Sequence, residues 1–303
     1  MKNVDVLCVG VTSYDFYFML DHHPDPDEKT IADAFLSCGG GPAANAAVTI
    51  AKMGLSVALA GYLGNDLWGE LHSKELKQSG VLTDWIVRGN KPTPISTILV
   101  KPDGKRSLVN YRDNNATLEK NAINFSNINL KIILFDGHEP DISMELLKQI
   151  KDDNVKTILD AGSVNPGTLL LFDKVDYLIC SAKFAEGITG STKMGDALKK
   201  LSNQNENIVI TLGEQGLIWK TKMGQGKLNA YPIVAVDTTG AGDVFHGAFA
   251  GSLAMNKDLQ EILKYSSAAA ALSCTKPGGR TSIPTIKEVE NFVNERKFEY
   301  NKY

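Results

Sequence analysis

The chain has 303 residues, 43% of them hydrophobic and 22% charged, with a net charge of −3. This is the balance of an ordinary globular protein with enough material for a full core. It offers no electrostatic reason to expect nucleic acid or an anionic membrane as partner.

Val4 to Gly10 is a short apolar run ending in glycine, the pattern of a first parallel strand. It begins almost at the N-terminal Met, which predicts no signal peptide. From Thr12 to Cys38 the chain alternates instead, interrupted by His22-His23-Pro24-Asp25-Pro26-Asp27-Glu28, as antiparallel strands exposed on one face do. Gly39-Gly40-Gly41-Pro42 opens a helix from Ala43 to Met53, with proline in the first turn, where its missing N–H costs nothing. A strand at Val57–Ala60 and a helix at Leu67–Gln78 follow. A second alternating block runs from Pro94 to Tyr111, turned by Lys101-Pro102-Asp103-Gly104. Strands are then predicted at Ile132–Phe135, Thr157–Leu159, Tyr177–Ile179 and Ile208–Thr211. Helices between them are expected at Ser143–Ile150, Pro166–Leu170 and Lys193–Leu201, and after them at Ala241–Ala254, Leu259–Ser273 and Ile286–Phe292. Strand–helix alternation predicts an α/β fold with a doubly wound sheet flanked by helices. The two alternating blocks, about 12–38 and 94–111, are read together as a small β-lid on a single domain, 1–303. Such a lid presents sheet edges through which a homodimer could form. Cys8, Cys38, Cys180 and Cys274 are far apart and read as buried apolar residues of a reducing, cytoplasmic compartment. The longest apolar stretches are broken before the ~18 residues that a membrane span needs.

The segment that carries chemistry is Val236-Asp237-Thr238-Thr239-Gly240-Ala241-Gly242-Asp243-Val244-Phe245-His246-Gly247. Its two glycines lie at a helix start, where N–H groups lack an intrahelical partner and point outward. Such a turn holds an anion without a cationic side chain, because the helix dipole adds to the free donors. A carboxylate in the first turn can take the proton of an attacking hydroxyl while the amides hold charge on a transferring phosphoryl group. The plain alternative is a helix cap with Asp243 placed to favour the dipole. A cap has little need of Gly-x-Gly-Asp preceded by Asp-Thr-Thr, so the functional reading is preferred.

Asp-Thr-Thr-Gly-Ala-Gly-Asp resembles the second signature of the PfkB (ribokinase-like) carbohydrate kinases. Gly39-Gly40-Gly41-Pro42-Ala43-Ala44-Asn45-Ala46-Ala47 resembles their first, and order and spacing fit from Val4 to Phe292. The resemblance implies an ATP-dependent kinase of a sugar hydroxyl, working with Mg2+. Asp243 matches the catalytic base, and Gly240, Ala241 and Gly242 the anion hole. Asp15, Gly40, Gly41 and Asn45 match the sugar site, and Thr211, Gly213 and Gly216 the turn under the nucleotide. Asp237, Thr239, Ser273, Gly278 and Ser282 fall where many members hold a monovalent cation, K+. Gly-Gly-Gly-Pro-Ala-Ala, Asp-Val-Phe-His-Gly-Ala and Thr-Lys-Pro-Gly-Gly-Arg resemble most closely those members that act on 6-deoxy-6-sulfofructose. Lys29 and Asn110 fall at sulfonate-contacting positions of such members, and His138 stands where they carry an arginine.

One departure stands out. Where members often carry Asn-x-x-Glu near their magnesium, this chain reads Ser181-Ala182-Lys183-Phe184, so Mg2+ is expected to be held by ATP oxygens and water. No Gly-x₄-Gly-Lys-Ser/Thr loop is present, and no Gly-x-Gly-x-x-Gly follows the first strand. The substrate expected is a ketohexose, fructose-like or sulfonated. A ribose, phosphosugar or nucleoside kinase of the same fold remains open, as does a sugar-binding protein without catalysis.

Overall fold

In β1 (Lys2–Val9) the C-terminal half is buried on both faces, as a central strand between two helical layers requires. Val6 and Cys8 join one core cluster and Leu7 and Val9 the other, the period of two that a strand imposes. The computed structural model describes residues 2–113, 117–126, 128–150, 154–296 and 300–302.

After β1 come β2 (Ser13–Met19), β3 (Ala34–Gly40), α1 (Pro42–Lys52), β4 (Val57–Gly64), α2 (Leu67–Gln78) and β5 (Leu82–Gly89). Next are β6 (Ile95–Val100), β7 (Arg106–Tyr111), β8 (Ile128–Phe135), α3 (Pro140–Gln149), β9 (Lys156–Ala161) and α4 (Pro166–Leu171). β10 (Tyr177–Ser181), α5 (Ala182–Thr189), α6 (Met194–Leu201), β11 (Ile208–Thr211), β12 (Leu217–Thr221) and β13 (Gly224–Leu228) follow. The last elements are α7 (Ala241–Ala254), α8 (Leu259–Ser273), α9 (Ile286–Asn294) and β14 (Tyr300–Lys302).

The main sheet has ten strands in the order β14-β13-β12-β11-β10-β9-β8-β1-β4-β5. From β11 to β5 every pair is parallel, while β12 to β14 add an antiparallel edge. Strand order reverses at β1 and β8, so a crevice opens beyond their C-terminal ends, where sheets of this kind bind ligands. The two alternating blocks pair as one four-stranded sheet, β3-β2-β6-β7. β2 lies parallel to β6 within it, and the other two pairs are antiparallel.

α1, α7 and α8 bury one face of the main sheet, and the helices α3, α5 and α6 help to bury the other. α1 and α7 meet almost backbone to backbone, since a Cβ on Gly247 would stand 2.6 Å from the Ala46 carbonyl oxygen. Four strands and one helix of the described residues were not expected from the sequence: β5, β12, β13, β14 and α5. Every residue of β5 but Asp84 is only half-buried, which erases the alternation that marks a strand. Among the described residues no helix is long and apolar enough to cross a membrane, and all four cysteines are buried and free.

Candidate active site

Asp136 ends β8 at the reversal point and is 4% exposed. Its Oδ2 accepts the Val11 N–H at 2.8 Å and the Ala43 N–H at 3.2 Å, and its Oδ1 accepts the His138 N–H at 2.8 Å. One carboxylate thus ties the ends of β1 and β8 to the first turn of α1. Sequence reading gave Asp136 no role, because its three partners come from three separate segments.

Gly41 caps α1 at a φ of 95°, a conformation that glycine adopts without strain. Beside it, a Cβ on Gly40 would fall 2.0 Å from Asp15 Oδ2, so the backbone turns directly against that carboxylate. Asp15, on β2, is 5% exposed and accepts a hydrogen bond from Ser13 Oγ at 2.8 Å. Burial raises its pKa, and hydrogen bonds from Ser13 and Ser96 and the Arg280 charge offset part of that rise. Asn45, in the same first turn of α1, donates from Nδ2 to Asp243 Oδ2 at 2.8 Å and accepts on Oδ1 from Arg280 Nε at 2.9 Å.

Asp243 stands in the first turn of α7, whose N-cap is Gly240 in the left-handed conformation, with no side-chain cap. Gly240 O accepts the Val244 N–H at 2.9 Å, so the Gly242 and Asp243 N–H groups precede the first intrahelical donor. The Ala241 N–H faces Thr238 O at a long 3.4 Å. Burial raises the Asp243 pKa well above the ordinary carboxylate range, and repulsion from Asp160 pushes the same way. The Asn45 hydrogen bond opposes them. His246, one turn later, lies 3.2 Å from Asp160 Oδ2 and 2.6 Å from Gly242 O through Nδ1. A buried carboxyl titrating this high can accept a proton near neutral pH.

The turn from Gly240 to Asp243 is the wall between two cavities. One, of about 640 Å³, is lined by Thr211, Gly213, Gly216, Ala241 and Gly242, together with apolar Ile233 and Phe245. The other, of about 400 Å³, is lined by Asp15, Gly41, Asn45, Asn110, His138, Gly240 and Asp243. Lys29 lies elsewhere, exposed between β2 and β3 and outside the residues that line this cavity. Two residues given no site role from sequence, Arg106 and Arg112, do line it. Arg106 reaches across from the lid to donate to Thr238 Oγ1. Arg112 donates to His138 O at 3.1 Å and pairs with buried Glu139, which burial pushes up to about 7 against that pairing. The signal available for both was an arginine at either end of the last strand of the second alternating block.

Behind the turn, Asp237 is 1% exposed and accepts the Thr239 and Gly278 N–H groups, each at 2.8 Å. Thr239 Oγ1 and Ser282 Oγ are buried without hydrogen-bond partners, and Ser273 Oγ donates to Ala270 O. Orphaned oxygens beside a buried carboxylate fit a cation that shares them.

A sheet crevice that joins two cavities across a helix N-terminus with a buried carboxylate is suited to moving an anionic group between two bound molecules. Residues 3–286 match the model of the pfkB family carbohydrate kinases, and the chain belongs to that family. It is 27% identical to the ribokinase of Bacillus subtilis (strain 168) over 97% of this chain and 100% of that protein. It is 29% identical to fructokinase-1 of Oryza sativa subsp. japonica over 85% of this chain and 89% of that one. The structure of Arabidopsis thaliana ribokinase complexed with ribose and ATP superposes with a TM-score of 0.82 at 26% identity, over 96% of this chain and 99% of that one.

Proposed function

We propose that the larger cavity holds ATP and the smaller one a ketohexose, with Asp243 as general base. The observation that carries this reading is the shared wall, with Ala241 and Gly242 facing one cavity and Gly240 and Asp243 the other. Asp15 and Asn45 take sugar hydroxyls, while Thr211, Gly213 and Gly216 support the nucleotide. The acceptor hydroxyl gives its proton to Asp243 as its oxygen attacks the γ-phosphorus. The bond to the bridging oxygen breaks, and ADP leaves with that electron pair. The N–H groups of the Gly240–Gly242 turn and Asp243 hold the charge that spreads over the phosphoryl oxygens.

Mg2+ arrives with the nucleotide, held by its oxygens and water. Asp237, Thr239, Ser273, Gly278 and Ser282 would hold K+, whose charge would steady the turn. Buried free cysteines suit a reducing cytoplasm. Phe35, Val109 and Tyr111, exposed on the edge strands of the lid, suit a homodimer formed there.

The substrate carries an anion at its far end, a sulfonate or a phosphate. Asn110 and His138 line the cavity, and Arg106 and Arg112 add cations to its lining, with Lys29 outside. The test is kcat/KM for 6-deoxy-6-sulfofructose, fructose 6-phosphate, fructose, ribose and adenosine, read by ADP release. Turnover of an anionic ketose, at least tenfold above fructose and lost selectively in Arg106→Ala, is expected. Preference for fructose or ribose with Arg106→Ala silent sinks the anion and leaves the kinase. No turnover of any acceptor by the folded protein leaves only a sugar binder.

A further inference from the structure

Arg280 is a buried cation that the reaction above leaves unused. It follows Gly278-Gly279 in the turn after α8 and is 7% exposed. Its hydrogen bonds go to an amide and a ring rather than to a carboxylate. Nε donates to Asn45 Oδ1 at 2.9 Å, Nη2 lies 3.3 Å from His72 Nε2, and among the described residues Nη1 has no hydrogen-bond partner. A guanidinium taken out of water without an ion pair is costly, so its position asks for a reason.

The reason lies in what an arginine cannot do. It has five N–H donors and no acceptor, so it receives only the oxygen of the Asn45 amide. Once Oδ1 is taken, Nδ2 must face the other way, and it lies 2.8 Å from Asp243 Oδ2. An asparagine amide has no orientation of its own; its neighbours decide which end is which. Among the described residues Arg280 is the donor to Oδ1.

His72 completes the clamp. Burial, helped by the Arg280 charge, holds its imidazole well below its usual pKa, so it stays neutral and can accept from Nη2. Around the guanidinium lie Asp15 and Tyr17 on β2, Cys38 on β3, Glu75 on α2 and, more weakly coupled, Lys52 on α1. Asp160 at β9, Asp136 at the end of β8 and His246 on α7 face Asp243 from the other side.

We propose that Arg280 is a positioning residue: by occupying Asn45 Oδ1 it fixes the polarity of that amide, so that an N–H is always presented to the Asp243 carboxylate. The proposal rests on Asp243 being the base. Burial and Asp160 favour the protonated, inactive carboxyl, whereas a donated N–H favours the ionised one. If the amide were free to turn, its oxygen would face Asp243 and favour the acid. Arg280 thus acts on the base through one intervening side chain, 235 residues away in sequence.

The experiment is the pH profile of kcat/KM in Arg280→Met, Asn45→Ala and the double variant, with thermal melts as folding controls. Loss of one hydrogen bond to the ionised carboxylate is expected to move the acid limb up by about 1–2 pH units. The same move is expected in Asn45→Ala, and none further in the double variant, with the KM for ATP within twofold. A folded Arg280→Met with an unmoved limb overturns the proposal. So does an additive shift in the double variant, which means a direct charge effect. Should Arg280→Met not fold, Arg280→Gln keeps a neutral N–H donor where Nε stood and is expected to leave the limb unmoved, so a moved limb there overturns the proposal equally. Asp243→Asn, run alongside, separates the two readings. Retained turnover there brings down the base and this proposal together. A dead Asp243→Asn with an unmoved limb in Arg280→Met brings down this proposal alone.

Discussion

Replacing Gly242 with alanine places one methyl group in the first turn of α7, at a position where no atom outside the helix lies within 4 Å. The φ of Gly242 is not positive, so alanine fits the backbone. On folding grounds alone the change is favourable. Alanine restricts the unfolded chain more than glycine, which stabilises by about 0.4–1 kcal/mol at a compatible site. For a chain of this length that is a rise in Tm of about 1–2 °C. The same methyl group stands at the wall of the larger cavity, lined by Ala241 and Gly242. A phosphoryl oxygen bound to an amide must come within about 2.9 Å of nitrogen, closer than a carbon contact allows. Losing one donor of this kind costs about 10²–10³ in kcat, and Gly242→Val should cost more. ADP release at saturating sugar, measured beside a thermal melt, should show activity falling while Tm holds or rises. Gly240→Ala is the contrast: φ is 76° and a Cβ would stand 2.9 Å from Gly279 O, so stability should fall as well. If Gly242→Ala kept kcat and the KM for ATP within twofold, the amides would not be holding the phosphoryl group.

Two further outcomes follow from the same geometry. Asp243 must be ionised to act, and its pKa is raised by burial and by Asp160, so activity should be full above that raised value and fade as pH falls through it. An acid limb of kcat/KM at ordinary carboxylate pH, near 4, contradicts this. Gly40→Ala would put a Cβ 2.0 Å from Asp15 Oδ2, forcing the carboxylate aside, and sugar KM should rise by about tenfold or more with ATP KM unchanged. Equal changes in both constants would remove Asp15 from the sugar site.

The turn proposed to carry the reaction was legible because its pattern is local. Gly240, Gly242 and Asp243 lie within four residues, and α7 begins at Ala241 as the pattern predicts. The parallel strands were legible where they are buried on both faces: β11 was read at its full length, and β1 and β8 were read short where they continue toward the surface. β8, for example, begins at Ile128 rather than Ile132 because Ile128 to Lys131 alternate in burial. The β12–β13 hairpin escaped because it turns through Lys222-Met223 rather than through a glycine pair. Arg280, Arg112 and Asp136 escaped for a different reason. Each is defined by groups far away in the chain, and a charged residue in a turn gives no hint of burial. Thr-Lys-Pro-Gly-Gly-Arg drew notice as a likeness, but nothing in it points to Asn45.

The contact of Gly247 with Ala46 has a consequence for how such an enzyme can change its diet. Asn45 rides on one of the two touching helices and Asp243 on the other, so under the proposed roles the gap between the sugar and the base is built into a seam between backbones. The lid strands β6 and β7 line the same cavity through Ser96, Arg106 and Asn110 without belonging to that seam. Under those roles, discrimination among acceptors and spacing of the reacting atoms fall to different parts of the chain. Strands grafted from another family member could alter which sugar enters while leaving the reach of the base as it was.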